Sequence, residues 1–238
     1  MRKSLISRIF LLLVLILGSQ PAAFAEIFVH DNIAAKREEI MLKAETKGRY
    51  FSKGGQIVEF SVDGRSIGRV LSGGDGYAYK PFRPFKYGLH LVAAKYGKDK
   101  DTGHILSLRK GSRIVFIDVE GSLLSTPFSK EPIKKSSDTI RKIIKKYPVV
   151  YLHAGVIGTR SIREWLKKNR FPESVVLPWD MGSIFDEIIK KGFKIKAIIG
   201  SQAVIESAGE YKPLAFSFDE FDSAENVKNW TQIERKLN

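Results

Sequence analysis

The sequence predicts two domains in tandem, an all-β sandwich followed by a three-layer α/β domain built on a parallel sheet. Residues 26–110 keep a period-2 hydrophobic alternation broken by turn residues, whereas from Ser112 continuous apolar runs alternate with helix-period segments. A chain of 238 residues with 43% hydrophobic content can also bury two cores of ordinary size without covalent staples. With 9 prolines, 20 glycines and no low-complexity tract, it is not a collagenous, mucin-like or linker-type protein.

The first 25 residues read as a secretory signal. Arg2, Lys3 and Arg8 form a basic region, Ile9 to Leu17 an apolar run, and Ala23-Phe24-Ala25 a small-residue cleavage site before Glu26. The run is shorter than the roughly twenty residues that cross a bilayer, and no charged stop-transfer pattern follows it. Cleavage after Ala25 is therefore expected over a retained anchor. The expected location is the periplasm or the exterior. Zero cysteines favour the periplasm and exclude a disulfide framework, a thiolate metal site and a thiol nucleophile.

In the first domain, 26–110, Ile40, Leu42 and Ala44 alternate with Met41, Lys43 and Glu45, which gives one buried and one wet face. Ile57 to Val62 runs into Asp63-Gly64, a hairpin signal because both central turn positions need positive φ. Ile67 to Leu71, Tyr77 to Lys80 and Leu89 to Tyr96 continue the series. Gly73-Gly74-Asp75-Gly76 reads as a further hairpin turn, since no helix pattern follows it as a phosphate loop would require. Short strands at this spacing predict a sandwich.

In the second domain, 111–238, strands are expected at Ile114 to Ile117, Val149 to Leu152, Val175 to Leu177, Phe193 to Ile199 and Leu214 to Phe218. Helices are expected at Asp138 to Tyr147, Thr159 to Asn169, Ile184 to Lys191, Ala203 to Ser207 and Ala224 to Leu237, with Trp165 facing the core. This alternation implies parallel strands covered on both faces. Ligands in such sheets sit beyond the carboxyl ends of the strands, so the residues just after each strand matter most.

The charge is +14, from 40 Lys+Arg against 26 Asp+Glu, and losing Arg2, Lys3 and Arg8 with the signal lowers it to +11. The basic residues fall on amphipathic helices (Lys134, Lys135, Arg141, Lys142, Lys145, Lys146; Arg163, Lys167, Lys168, Arg170; Lys190, Lys191) and read as solvated helix faces. Export, and the lack of helix-turn-helix, RNP-type or zinc-finger patterns, points away from nucleic acid. An anionic membrane surface or an acidic ligand remains. The histidines His30, His90, His104 and His153 are not paired at metal spacing, and no G-x-S-x-G elbow supports a serine triad.

After the first α/β strand comes Asp118-Val119-Glu120-Gly121-Ser122. Two carboxylates two residues apart, with a glycine for the sharp turn, suit phosphoryl transfer: one attacks phosphorus and the other protonates the leaving oxygen. FIDVEGSL (Phe116 to Leu123) resembles the first motif of the haloacid dehalogenase-like superfamily. VVYLHAG with IREWLKKNRFPESVVL (Val149 to Leu177) and KIKAIIGSQ (Lys194 to Gln202) resemble the second- and fourth-motif strands of the C-terminal domain shared by lipins and membrane-associated phosphatidylinositol transfer proteins. This resemblance implies a Rossmann-like sheet, and the short stretch between the first motif and the next strand holds a loop and one helix, too little for a large cap. In the first domain, Val58 to Tyr96 resembles bacterial Ig-like repeats, which implies a presenting module with protein contacts.

Carried over residue by residue, the resemblance makes Asp118 the nucleophile and Glu120 the general acid/base, one methylene longer than the usual aspartate. His153, followed by Ala154, stands where Ser or Thr would hold phosphate, and Gly121, Ser122, Gly200 and Ser201 complete the ligand pocket. No lysine lies between Pro178 and Asp186, and the nearest are Lys190, Lys191, Lys194 and Lys196. The implied Mg²⁺ keeps Asp118 as its one protein carboxylate, because Ser201 and Ile205 occupy the acidic positions and Glu206 is offset by about 100° on a helix. The expected function is binding of a phosphate-bearing small molecule or anionic phospholipid headgroup without efficient turnover. The alternative is a cap-less phosphatase using Asp118 and Glu120.

Overall fold

The computed structural model describes residues 26–48, 52–126, 129, 131–155 and 157–237; the expected signal segment and its cleavage site lie outside the described residues. Among the described residues no helix is long and apolar enough to cross a membrane.

Eight strands come first: β1 (Glu26–Val29), β2 (Asn32–Ala35), β3 (Ile40–Lys47), β4 (Ile57–Val62), β5 (Arg65–Leu71), β6 (Tyr77–Phe82), β7 (Gly88–Tyr96) and β8 (Asp99–Leu108). They form a three-stranded sheet, β1-β3-β6, and a five-stranded sheet, β2-β8-β7-β4-β5, in which β2 runs parallel to β8 and the other pairs are antiparallel. The sheets enclose a common core: Ile27, Leu42 and Ala44 on one side meet Phe60, Val92 and Ile105 on the other. Along β3 the predicted alternation holds, with Ile40, Leu42 and Ala44 buried and Met41 exposed.

Asp63 and Gly64 have φ of 49° and 78° and join β4 to β5, as their residue types require. The Asp63 carboxylate also accepts from the Leu91 amide (3.0 Å) and contacts His90 Nδ1 (2.7 Å), tying the turn to β7. The segment Gly73 to Gly76 does turn, but it is not the expected hairpin. It links β5 to β6, which lie in different sheets, because β6 takes β3 as its partner, with Ala78 opposite Ala44.

The rest of the chain alternates strand and helix: β9 (Arg113–Asp118), α1 (Val119–Ser122), α2 (Ser136–Ile143), β10 (Val149–His153), α3 (Thr159–Lys168), β11 (Val176–Pro178), α4 (Ser183–Lys190), β12 (Lys194–Ile199), α5 (Gln202–Glu206), β13 (Leu214–Ser217), β14 (Glu225–Asn226) and α6 (Trp230–Leu237). The six strands pair in parallel throughout, in the order β11-β10-β9-β12-β13-β14. Ile140, Ile162 and Ile233 from α2, α3 and α6 cover one face. Phe185 and Val204 from α4 and α5 cover the other, together with Ile33, Leu106 and Leu108 from the sandwich. Trp165 is partly buried against the first of these clusters and stacks on Phe171, with centroids 5.4 Å apart.

The expected helix from Ala224 to Leu237 is divided. Glu225–Asn226 pairs as an edge strand with Phe216 and Ser217, and the helix starts only at Trp230. Asn229 explains the delay: its side chain accepts from the Gln232 amide (3.2 Å), the hydrogen bond of a helix cap.

Candidate functional site

β9 sits at the centre of the parallel sheet, between β10 and β12, and ends at Asp118. There the chain leaves the strand and Asp118 caps α1 with its own side chain. Oδ1 accepts from the Gly121 amide (3.0 Å), and Oδ2 accepts from both the amide (3.1 Å) and the hydroxyl (2.8 Å) of Ser201, which follows β12. Asp118 is 1% exposed. Burial raises its pKa, the hydrogen bonds from Gly121 and Ser201 oppose that rise, and the nearby Glu120 charge adds to it. Gly200 permits the close approach of β12, since a Cβ there would lie 2.5 Å from the Cβ of Asp118.

Glu120 reaches in the opposite direction, toward the end of β10. Its Oε2 accepts from the Ala154 amide (3.0 Å) and its Oε1 from the Gly155 amide (3.1 Å). The buried His153 Nδ1 lies 3.8 Å from Oε1, too far for a hydrogen bond, and has no hydrogen-bond partner among the described residues. Burial alone would raise the Glu120 pKa, but His153 and the two amides outweigh it and hold the carboxyl below its ordinary range. The Glu120 carboxylate thus occupies two convergent backbone N–H groups, an arrangement that suits any oxyanion.

Of the other expected site residues, Gly121, Ala154 and Ser201 contribute amides to these carboxylates. Ser122 turns away, donating its hydroxyl to the Asp118 carbonyl (2.6 Å). The lysines near the fourth strand do not reach the site. Lys191 pairs with Glu38 and Glu187, and Lys196 lies over the Tyr147 ring near the amino ends of the strands.

The residues present do not fit a magnesium ion. Both Asp118 oxygens are engaged by protein donors, Ser201 supplies a hydroxyl that itself donates, and Ile205 is buried among apolar side chains. Glu206 is exposed and accepts from Gln202 (2.7 Å). Among the described residues no group of three His, Cys, Asp or Glu side chains is placed to hold a metal ion, whereas Mg²⁺ requires a near-octahedral set of oxygens.

A buried polar cluster around Asp31 has no sequence signal. The Asp31 side chain is fully buried and accepts from Arg163 (2.7 Å) and from the amides of His104 (2.6 Å) and Val176 (2.7 Å). Burial raises its pKa, and Arg163 opposes the rise most strongly. Arg163 also donates to the Val29 (2.9 Å) and Thr102 (3.2 Å) carbonyls. A cavity of about 830 Å³ opens beside this seam, with Leu91, Lys100, Tyr151, Arg160 and Phe171 in its walls. Nothing in the sequence signals the cluster, because its partners lie 73 to 145 positions from Asp31.

No family model matches the chain, and no curated protein matches it. Solved structures that match include an IG27 protein domain (8% identity, TM-score 0.30, 36% of this chain and 99% of that one). The fibronectin(III)-like modules of Clostridium thermocellum CbhA also match (18% identity, TM-score 0.27, 37% and 48%). A third is an FMN-binding β-glucuronidase from Facaelibacterium prausnitzii L2-6 (12% identity, TM-score 0.27, 37% and 12%). The chain thus spans about half of the CbhA modules and a small part of the glucuronidase. These matches are Ig-like, fibronectin-III-like and related folds, and none is haloacid dehalogenase-like. The resemblance to that superfamily and to the lipin domain is therefore withdrawn. Its motifs were short strand-end strings, and an Asp that caps a turn or a Gly that permits close approach arises from strand-to-helix geometry in any parallel sheet.

Proposed function

We propose that this is an exported binding protein whose strand-end site takes a phosphate-bearing group in exchange for the Glu120 carboxylate and does not turn it over efficiently. In this reading, residues 26–110 form an Ig-like module that presents the second domain and contacts other proteins. Residues 111–238 form a Rossmann-like α/β domain, a reading supported by the strand order, which switches direction at β9.

One observation carries the ligand assignment: the Glu120 carboxylate lies on the Ala154 and Gly155 amides with His153 alongside. A phosphate group offers the same oxygens to the same donors, and rotation of one long, largely buried side chain would vacate them. Against turnover stands Asp118, 1% exposed with both oxygens hydrogen-bonded, since a nucleophile must reach the reacting atom.

Calorimetric titration of the full chain with inorganic phosphate and with glycerol 3-phosphate, a soluble phospholipid headgroup analogue, tests this. Glu120→Ala is expected to bind at least about tenfold more tightly than wild type, because the competing carboxylate is gone, and His153→Ala to weaken binding. Preference for glycerol 3-phosphate would mark a headgroup site, and equal affinity a general phosphate site. Absence of binding in both wild type and Glu120→Ala overturns the proposal. The adjacent Asp118 and Glu120 carboxylates favour the alternative, a phosphatase, and aryl phosphate hydrolysis lost in Asp118→Asn would establish that instead.

A further inference from the structure

In the α/β half cations gather at the amino ends of the strands, although Lys135 and Arg160 stand at the opposite end with the helix starts. Each helix runs back from the carboxyl to the amino ends of the strands, and the basic last turns of α2 (Arg141, Lys142), α4 (Lys190) and α6 (Arg235, Lys236) complement the helix dipoles. Acidic first-turn residues, Glu120, Asp138 and Asp186, lie at the opposite end. Dipole complementation accounts for the helix ends but not for the further cations carried by the strands and loops of the amino-end face.

That face is built around Tyr147, just before β10. The Arg113 guanidinium and the Lys196 ammonium lie 5.7 and 5.6 Å from the Tyr147 ring centroid. Lys196 falls where the β9–β12 register slips, and Lys194 stands opposite Arg113 in the sheet. The Lys110 stem packs near Gly192, and the backbones join there through the Gly111 amide and the Gly192 carbonyl (2.7 Å). Lys145 follows α2 and is exposed, like Arg109, Lys110, Arg113 and Lys194. Among the described residues none of these five, nor Lys196, has a carboxylate partner, whereas Lys142, Lys191 and Lys236 do. Beside Tyr147 a recess of about 250 Å³ has Ile143 and Leu237 in its walls, together with Lys145 and the Lys142–Glu234 ion pair.

We infer that this amino-end face docks on the headgroup layer of an anionic phospholipid bilayer. Charge complementarity argues for it. Six cations on one face, five of them exposed and none with a carboxylate partner among the described residues, attract a negative surface. The inference does not rest on the phosphate-exchange site, which lies at the other end of the strands and would face away from a docked bilayer.

Flotation of the full chain with phosphatidylcholine vesicles, with and without phosphatidylglycerol, tests it, and any contribution of the apolar leader is common to every sample. Binding is expected to need phosphatidylglycerol and to be lost at high salt. Arg113→Glu/Lys194→Glu is expected to weaken binding by more than about tenfold. Lys95→Glu/Lys98→Glu, at the exposed end of β7 and on the turn after it, with the same change in net charge, should change it by less than about threefold. Equal binding to both vesicle types, or equal loss in both double variants, overturns the inference. So does retention by Arg113→Glu/Lys194→Glu, or displacement by an oligonucleotide as effective as that by phosphatidylglycerol.

Discussion

Asp118 and Glu120 are two residues apart and answer pH in opposite senses. Glu120 is held below its ordinary pKa, so its hydrogen bonds contribute stability that is fully present above about pH 4.5 and is lost as pH falls through the folded value. Asp118 is raised, so its contribution is greatest in acid and declines as pH rises through its folded value. Glu120→Gln keeps one acceptor but sets an NH₂ group against the second amide. It is expected to destabilise by about 1–3 kcal/mol at neutral pH and by progressively less below about pH 4. Urea midpoints of the two proteins at pH 7 and pH 3 check this, and a constant difference would show that Glu120 is not the titrating group. The sequence revealed both carboxylates. It did not reveal what holds Glu120, because Ala154 and Gly155 contribute through backbone N–H groups that no residue type announces.

At the scale of elements, side-chain periodicity was legible wherever one face is buried. The alternation along β3 and the apolar run Ile114 to Ile117 both correspond to strands, and the helices after β10 and β11 begin within one residue of their expected starts. Strand partnership was not legible: a Gly-rich turn reads alike whether it closes a hairpin or crosses between sheets, and Gly73 to Gly76 crosses. The end of the chain shows the same limit, since Glu225 and Asn226 become a strand only because the β13 edge is there to pair with. Helix α6, by contrast, is firmly anchored. Trp230 is 0% exposed, packs near Phe218 (5.9 Å) and donates to the Ser122 carbonyl (3.3 Å). Trp230→Ala is expected to cost about 3–5 kcal/mol, measured by chemical denaturation. A loss below about 1 kcal/mol would mean that α6 is not integral to this core.

The molecule as a whole joins its halves more closely than a tandem reading of the sequence suggests. Ile33, Leu106 and Leu108 of the sandwich share a core with Phe116 and Phe185 of the α/β half, and Asp31 is enclosed by Arg163, His104 and Val176 from both. A continuous apolar core predicts cooperative unfolding, and the seam offers a way to test it. Arg163→Ala leaves the Asp31 carboxylate buried without its counter-ion, a change expected to cost about 3–5 kcal/mol, while Asp31→Ala/Arg163→Ala should cost less than the sum of its single changes. The three tryptophans, Trp165, Trp179 and Trp230, all lie in the α/β half. Fluorescence therefore follows that half alone, and far-ultraviolet circular dichroism follows both. In wild type the two probes should give one superimposable transition, and Arg163→Ala should move both together. If the fluorescence transition moved while a second dichroism transition stayed in place, the halves would be independent domains and Asp31 a local contact between them.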